Sequence, residues 1–457
     1  MVGAWSAIAV TACVIVGGLL RFVTLGHQSY EGDEAWTLRL LHQSFGGMLH
    51  GVSRQESTPP LYYVLAWISA HLFGFGEFAV RAPSAFAGTA MVALAYPTAF
   101  ALLGRRWPAV AVAALTAVSP ILVWYSQEAR AYALYAFLCT ASLLFFARTG
   151  AALTRTNAWS WAALSALAVA THYFAGFFVV AEVVLLLRRR GRAILGPVAA
   201  VGVVSALLVP LAVYQYGSAE KFRAITTGSL GWRVKEVALR FIFYNYNPAR
   251  DLALAIAVAA AAVLAWRGAR RPGGGRTALL IAIATVGIPL ALAVLHIIDV
   301  FFFRNMLAAW LPFVIAVAAG FAGLRIAPAV AAVAVGVLLL GTVQIARKVS
   351  LQRDSWRDAI AVLKREPRPV VLVSSNGLTP PVYWPELHSL PARGIDIQRE
   401  YLASPYVTST STAPAQFTAV AFREAGNVGI LTLEAKHPQH LTPDEFSAQG
   451  LAVWVVR

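Results

Sequence analysis

Long, uncharged apolar segments are the feature that most restricts the fold of this chain. Hydrophobic residues make up 59% of the 457-residue sequence, and Asp, Glu, Lys and Arg together only 13%. A segment needs about 17–25 residues to cross the hydrocarbon core of a bilayer. About eleven segments approach this length: 5–23, 79–103, 108–125, 131–147, 158–171, 173–187, 195–214, 251–266, 277–297, 306–324 and 328–346. The sequence therefore predicts an all-α polytopic membrane protein, with the bilayer as solvent for most of the chain.

The distribution of arginine predicts the orientation of the chain. With the N-terminus in the cytoplasm, arginine is concentrated on every second loop, as the positive-inside rule requires. The net charge of +16 then reflects membrane orientation rather than nucleic-acid binding. The loops 24–78 and 214–250, and everything after Arg347, are predicted to lie outside. The Ala-, Arg- and Val-rich composition suggests a bacterium, so we expect a multi-pass inner-membrane protein whose site and C-terminus face the periplasm or exterior.

The sequence predicts two domains. Residues 1–349 form a transmembrane module that includes both outer loops, and residues 350–457 form a small extracytoplasmic α/β domain. The latter prediction depends on a helical pattern at Asp354–Arg365, a β-like run at Pro369–Ser374 and further short apolar pieces. The loop 24–78 is too long for a simple connector and contains a helix-like stretch, Ala35–Leu49, so we expect it to have its own structure.

Acidic residues are concentrated in this first outer loop. Asp33 and Glu34 follow the first span, where a carboxylate can take a proton from a substrate hydroxyl. The alternative is a solvated acidic loop at a helix N-terminus, where carboxylates are favoured anyway. Glu56 lies in QESTPPLYY, which also contains Tyr62 and whose prolines fit an ordinary helix start. A divalent metal held by Asp33 and Glu56 is the only cofactor that these residues suggest.

Two further segments place polar side chains at the outer ends of spans. YSQEARAYAL contains Glu128, Arg130 and Tyr132, and ionisable residues at such a depth usually pair or serve a site. An internal Glu128–Arg130 pair is the alternative, although residues two apart face away from each other on a helix. THYFAGFF places His172 and Tyr173 on a tight hairpin, where a lone histidine is more often a packing residue than a ligand.

Cations near the outer face are candidates for binding phosphate. Arg304, in FFFRNMLAAWLP, precedes the tenth span. Snorkelling explains many such arginines, but a lipid-linked phosphate at headgroup level would also need a guanidinium there. Lys221 and Arg223 lie in the basic loop 214–250, on the face where positive charge is normally sparse.

In this order and spacing, these motifs resemble the polyprenyl-phosphate-sugar-dependent glycosyltransferases of the GT-C membrane class. The resemblance is greatest to family 39-like enzymes, namely protein O-mannosyltransferases, lipid A aminoarabinose transferases and rhizobial lipopolysaccharide core transferases. It covers about residues 1–350 and depends on DEAW, TPPLYYVL, FGFGEFAVRAPSAFAG, SPILVWYSQEARAYAL, THYFAGFF and RNMLAAWLP.

The resemblance implies an inverting transfer from a polyprenyl-phosphate-linked sugar to a hydroxyl of an envelope glycan, lipid or protein. Asp33 would be the catalytic base, with Glu34 in support. Arg304 would contact the lipid phosphate, Glu56 would bind acceptor, donor sugar or metal, and Glu128 would form a second acidic site with Arg130 beside it. From the residues themselves, we add Arg130, Lys221 and Arg223 as candidates for the donor phosphate. Further candidates for binding acceptor or sugar, on the same ground, are Tyr62, Tyr132, His172 and Tyr173. Aminoarabinose transferases have a lysine beside the first-loop acid where this chain has Ser57, so that contact is not implied.

Other functions would use some of the same features. A flippase or transporter of lipid-linked sugar would share the spans and the cationic phosphate site, but it would not need an acidic pair on a structured outer loop. An oligosaccharide ligase or polymerase would be expected to have more paired arginines on the outer face. The sequence therefore favours a glycosyltransferase, with flipping as the alternative.

Overall fold

A computed structural model describes most of the chain as two compact units. It describes residues 3–218, 228–244, 251–271 and 273–348, and, in the C-terminal part, 351–353, 357, 370–374, 382–383, 388–391, 416–422, 427–434, 443–448 and 451–456. We call Met1–Leu25 with Leu40–Gln344 the membrane unit, and Gly26–Arg39 with Ile345–Arg457 the C-terminal unit. The sequence placed the boundary at 349–350 and the whole first loop in the membrane module. The structure instead groups Gly26–Arg39 with the C-terminal part.

Helices account for nearly all of the described membrane unit. The α-helices are α1 (Ala4–Phe22), α2 (Gly32–Leu41), α3 (Phe45–Gln55), α4 (Leu61–Phe73), α5 (Glu77–Leu103), α6 (Arg106–Val118), α7 (Pro120–Ser126), α8 (Tyr132–Ala151), α9 (Arg155–Thr171), α10 (Ala175–Arg190), α11 (Leu195–Ser218), α12 (Leu230–Ile242), α13 (Asp251–Ala269), α14 (Gly275–Val294), α15 (Trp310–Phe321) and α16 (Ala327–Arg347). Short 3₁₀ helices lie at Gly191–Ile194 and Phe303–Ala309. Every predicted span coincides with helical structure, which confirms the all-helical polytopic class.

The span count differs from the predicted eleven. Among the described residues, 7 helices are long and apolar enough to cross a membrane, or up to 8 if a bent pair forms one span. The helix α9 has 17 residues, and Leu254–Ala269 of α13 is a shorter apolar helix. Ala175–Gly217 form one continuous 43-residue helical stretch, although one crossing needs only about 20 residues. Gly191, with φ of 54°, ends α10, so the predicted spans 173–187 and 195–214 remain two helices.

The predicted span 108–125 is broken. The helices α6 and α7 meet at an angle of 53°, because Pro120 has no N–H to continue the ladder and its ring obstructs the preceding turn. The buried Arg21 of α1 donates to the carbonyls of Thr116 and Ala117 at 3.2 and 3.0 Å. Thr342 donates to the next carbonyl, that of Val118, at 2.7 Å. Side chains of other helices thus replace the backbone donors that the break removes.

Arg21 also bonds to α7, on the C-terminal side of the break. Arg21 Nε donates to the Ser126 hydroxyl at 3.1 Å. In return, the Gln127 amide donates to the last carbonyls of α1, those of Leu20 and Arg21, both at 3.1 Å. A Cβ at Gly88 would lie 1.9 Å from Ser126 Oγ, so this contact requires glycine. The ends of α1 and α7 are therefore bonded to each other, immediately before Glu128.

The central helices of the membrane unit end near this point. In α8 and in the segment Phe303–Phe321, most residues are buried, whereas α1 and α16 expose mostly apolar side chains. The predicted helix-like stretch Ala35–Leu49 is two helices, α2 and α3, because Ser44 begins a new one by accepting a hydrogen bond from Gly47 N at 3.2 Å. The site described below lies where α3, α8 and the 3₁₀ helix before α15 begin or end.

The C-terminal unit contains a six-stranded sheet. Its strands are β1 (Val370–Ser374), β2 (His388–Pro391), β3 (Gln416–Phe422), β4 (Asn427–Glu434), β5 (Pro443–Ala448) and β6 (Leu451–Val456), in the order β2-β1-β3-β4-β6-β5. β1 runs parallel to β2 and β3, and β4 parallel to β6, whereas β3–β4 and β5–β6 are antiparallel. The β-like run predicted at Pro369–Ser374 is β1, and the last apolar piece of the chain is β6.

Candidate active site

The acidic pair of the first loop lies in the first turn of α2, in the C-terminal unit. The Glu31 carbonyl accepts from Ala35 N, so Glu31 is the N-cap residue. Glu34 is buried, and its Oε2 accepts from Glu31 N at 3.0 Å, as the acidic residue of a capping box does. Glu34 therefore fixes the start of the helix.

Asp33, by contrast, is only partly buried. Its backbone carbonyl accepts from the Thr37 hydroxyl at 3.3 Å. The N-terminal end of a helix favours the ionised form of a carboxylate. The two acids therefore differ: Glu34 shapes the loop, and Asp33 presents a more accessible carboxylate.

A buried ion pair forms the centre of the membrane-unit site. Arg130 Nη1 and Nη2 donate to Glu56 Oε1 and Oε2 at 2.9 and 3.0 Å, and the two side chains are 7% and 0% exposed. Arg130 lies in the turn between α7 and α8, and Glu56 follows α3. The sequence suggested Glu128 as the alternative partner, and the structure shows that Glu56 is a partner of Arg130. Glu128 is also buried nearby.

Gln215 of α11 holds the backbone on both sides of Glu56. Its amide donates to the carbonyls of Val52 and Thr58 at 2.9 and 3.1 Å. The prolines that follow Thr58 have no N–H, so donors for this loop must come from elsewhere. The Tyr173 hydroxyl donates to Gln215 Oε1 at 2.8 Å, which fixes the orientation of the amide. The structure thus connects Tyr173 through Gln215 to the backbone on both sides of Glu56.

Ser84 of α5 supports the arginine side of the pair. Its hydroxyl lies 3.2 Å from both the Arg130 carbonyl and the Tyr62 hydroxyl. The Tyr63 and Thr58 hydroxyls lie 3.4 Å apart. All these groups are buried, and buried polar networks of this kind are rigid when their members are satisfied. The predicted Tyr62 therefore contacts the network through its hydroxyl.

An aromatic wall adjoins the ion pair. Its members are Trp124, Tyr125, Tyr132, Tyr135, His172 and Tyr244, all buried. Neighbouring rings are 4.9–6.1 Å apart between centroids: Trp124–Tyr244 5.1, Tyr125–Tyr132 5.0, Tyr125–Tyr244 6.1, Tyr132–His172 5.5 and Tyr135–His172 4.9 Å. Tyr244 has φ of 55°, unfavourable for a non-glycine residue, and such backbone outliers are concentrated at functional sites.

Arg304 lies against this wall. Its guanidinium carbon is 5.6 Å from the Tyr132 ring centroid and 5.4 Å from that of Phe302. Burial, Arg130 and Arg304, in that order, lower the pKa of His172 to about 3. The imidazole is therefore neutral at physiological pH, and its Nδ1 accepts from Phe174 N at 3.3 Å. The same arginines that disfavour a proton on His172 would favour an anion bound nearby.

Several of these residues were not singled out from the sequence. Tyr125 and Tyr135 lie within or beside the quoted segment YSQEARAYAL, so their proximity to Glu128 and Arg130 was an available signal. No sequence signal pointed to Gln215 and Tyr244, because they lie far along the chain from the quoted segment. Arg240, noted only as part of the basic loop, lies 5.3 and 5.2 Å from the ring centroids of Tyr244 and Phe303.

Two predictions stay open. Lys221 and Arg223 lie outside the described residues. Within the described part of the chain, no three His, Cys, Asp or Glu side chains are grouped to hold a metal ion. The suggested metal ligands Asp33 and Glu56 belong to different units, and their pairing stays a prediction.

Comparisons with known proteins agree with this fold. Residues 57–215 match the family described as dolichyl-phosphate-mannose-protein mannosyltransferase. A crystal structure of ArnT from Cupriavidus metallidurans bound to undecaprenyl phosphate is 15% identical, with a TM-score of 0.53 over 86% of each chain. The apo form of that protein is 14% identical, with a TM-score of 0.55 over 91% of this chain and 92% of the other. No curated protein sequence matches. These comparisons confirm the predicted resemblance to GT-C, family 39-like membrane proteins.

Proposed function

We propose that this GT-C, family 39-like protein is an inverting glycosyltransferase that uses a polyprenyl-phosphate-linked sugar. The family match and the ArnT-like fold support this activity class. Because one fold hosts many functions, the residues of the site must support the activity as well. The observation that supports it best is the group of buried and partly buried charges in the membrane unit. Arg130 and Arg304 both act on the neutral His172, at the edge of an aromatic wall.

This group suits a lipid-linked phosphate. Guanidinium groups form strong, charge-assisted hydrogen bonds to phosphate oxygens, and a water-poor environment makes their field stronger. Glu56 balances the charge of Arg130, which leaves a site where cation and carboxylate lie side by side. We assign Arg304 and Arg130 to the donor phosphate. Glu56 and Glu128 are assigned to sugar or acceptor hydroxyls, with Tyr62, Tyr132, His172 and Tyr173 shaping that part of the site.

The transfer itself is a single displacement. The acceptor oxygen attacks the anomeric carbon, the bond from that carbon to the phosphate oxygen breaks, and the electron pair leaves with the polyprenyl phosphate. Asp33 takes the proton of the acceptor hydroxyl. Phosphate is a good leaving group, so no general acid is needed. A base contributes roughly 10²–10⁴-fold in rate, and charge stabilisation by the arginines must supply much of the remainder.

The acceptor and orientation follow from the sequence argument. The arginine distribution favours a site on the outer face of a bacterial inner membrane, where hydroxyls of envelope glycans, lipids and proteins are the available acceptors. Lys221 and Arg223 belong to a loop on the same face and are assigned to the donor phosphate with Arg304.

The proposal is tested by incubating the purified full chain with a panel of radiolabelled polyprenyl-phosphate sugars and bacterial envelope acceptors. We expect one donor to transfer its label to an acceptor, with inversion at the anomeric carbon. Transfer of labelled donor between the leaflets of proteoliposomes, without any labelled acceptor, would instead support a flippase and contradict the proposal.

A further inference from the structure

Residues from the C-terminal part bind the loop that contains the acidic pair. Arg353 N donates to Gln28 Oε1 at 3.0 Å, and Arg357 N donates to Ser29 Oγ at 3.1 Å. Tyr30 N donates to the Tyr383 hydroxyl at 2.7 Å. These partners are 325 to 353 positions apart in the sequence. Three consecutive residues of the loop, 28 to 30, are thus bonded to the C-terminal part.

Arg353 also neutralises the loop. Its Nε lies 3.4 Å from Glu31 Oε2 and 3.7 Å from Glu34 Oε2, with the arginine side chain 2% exposed. The sequence from Glu31 to Glu34 contains three carboxylates in four residues, and their mutual repulsion would disfavour one fixed arrangement. A buried guanidinium beside the two glutamates reduces that repulsion on either side of Asp33.

The contacts with Glu34 connect Arg353 to the helix start. Glu34 caps Glu31 N and lies beside Arg353, so the capping carboxylate is held from two directions. Asp33 directly precedes Glu34, so the orientation of the Asp33 side chain depends on how α2 begins. A shift of about 1 Å in a reacting group can cost roughly 10²-fold in rate.

We propose that Arg353 is a positioning residue, and that the C-terminal part of the chain functions to hold the acidic loop so that Asp33 is correctly presented. The inference rests on the proposed function in one respect, the role of Asp33 as base. It assigns to the C-terminal part a role in the transfer step rather than in binding the donor.

The experiment compares Arg353→Met with Arg347→Met in the full-length protein. Arg347 is an exposed arginine six positions earlier, at the end of α16, and controls for loss of a positive charge. We expect Arg353→Met to lower kcat by about tenfold or more, with the donor Kd changed by less than about twofold. Arg353→Lys keeps the charge and should recover at least about a third of kcat.

Amide hydrogen exchange gives a second readout that is independent of turnover. Residues 26–41 should exchange faster in Arg353→Met than in Arg347→Met, while α8 and α15 exchange as in the wild type. If Arg353→Met does not fold, Tyr383→Phe removes a single hydroxyl from the loop and should show the same pattern to a smaller extent.

The outcomes separate the two proposals. Wild-type kcat in Arg353→Met, or equal losses of donor binding and of kcat, would overturn the positioning role. If the wild type transfers no sugar, the proposed function fails, whereas hydrogen exchange still decides whether Arg353 holds the loop. Unchanged exchange in residues 26–41 would overturn the inference whatever the activity.

Discussion

Arg130 and Glu56 form a two-point ion pair, at 2.9 and 3.0 Å, between residues 74 positions apart. The pair joins the end of α3 to the start of α8. Removing one partner would take the two-point bond away from the other buried charge, whereas removing both would not leave one charge of the pair behind. This pair is therefore the centre of the membrane-unit site. Variants of the pair can also separate an effect on stability from an effect on activity.

Glu56→Gln should destabilise the protein by about 3–5 kcal/mol and reduce transfer, because it replaces the two-point ion pair of the buried Arg130 by a contact with a neutral amide. The double variant Glu56→Gln/Arg130→Met should regain most of the melting temperature but not the activity. Thermal unfolding in detergent and the transfer assay check this pair of outcomes. A double variant no more stable than Glu56→Gln would contradict it.

Arg21→Met should destabilise the broken span, because the carbonyls of Thr116 and Ala117 lose their donors. Each unsatisfied buried group costs about 1–3 kcal/mol. Thermal unfolding should show a clear loss for Arg21→Met and little change for Arg105→Met, an exposed arginine beyond the end of α5. Equal melting temperatures for the two variants would show that the break does not depend on Arg21.

Gln215→Met should reduce kcat by about tenfold, because it frees the backbone on both sides of Glu56. Tyr173→Phe should have a smaller effect, since it removes only the hydroxyl that orients the amide. That hydroxyl acts through Gln215, so Tyr173→Phe should have no further effect in the Gln215→Met background. Steady-state kinetics of the four proteins test this, and additive effects would refute the connection.

His172 predicts a pH dependence of stability. Its folded-state pKa of about 3 lies below the unfolded value of about 6.5, so the unfolded state binds the proton more readily. The contribution of neutral His172 to the free energy of unfolding is fully present above about pH 6.5. It decreases as pH falls and is smaller by about 2 kcal/mol at pH 5. Melting temperatures from pH 5 to 8 should show this slope in the wild type and in His50→Gln, an exposed control. In His172→Gln the slope should be reduced, and an unchanged slope would contradict the assignment.

The sequence predicted the helices well, because a bilayer requires long apolar segments and these are visible as composition. The break at Pro120 was missed, since a proline is tolerated in a span only when other donors are present. Those donors, Arg21 and Thr342, are distant in sequence. The same limit applies to Gln215 and to the pairing of Arg130 with Glu56, because single-sequence patterns contain no information on contacts between distant segments.

The residue types of the acidic loop predicted only part of its structure. Asp33 and Glu34 were expected to act together as base and support. Those roles stay predictions, and the structure shows that Glu34 caps α2 and contacts Arg353. The segment Gly26–Arg39 belongs to the C-terminal unit, although composition gave no reason to divide the first loop there.

The most direct test of the account is a single-turnover measurement with Asp33→Asn and with Glu77→Gln, which removes another acid from the first turn of a helix. Each protein is loaded with the labelled donor identified in the panel and then mixed with acceptor. We expect Asp33→Asn to bind donor as the wild type does but to transfer the sugar at least about 10²-fold more slowly, while Glu77→Gln transfers normally. Transfer by Asp33→Asn at the wild-type rate would contradict the assignment of Asp33 as the base.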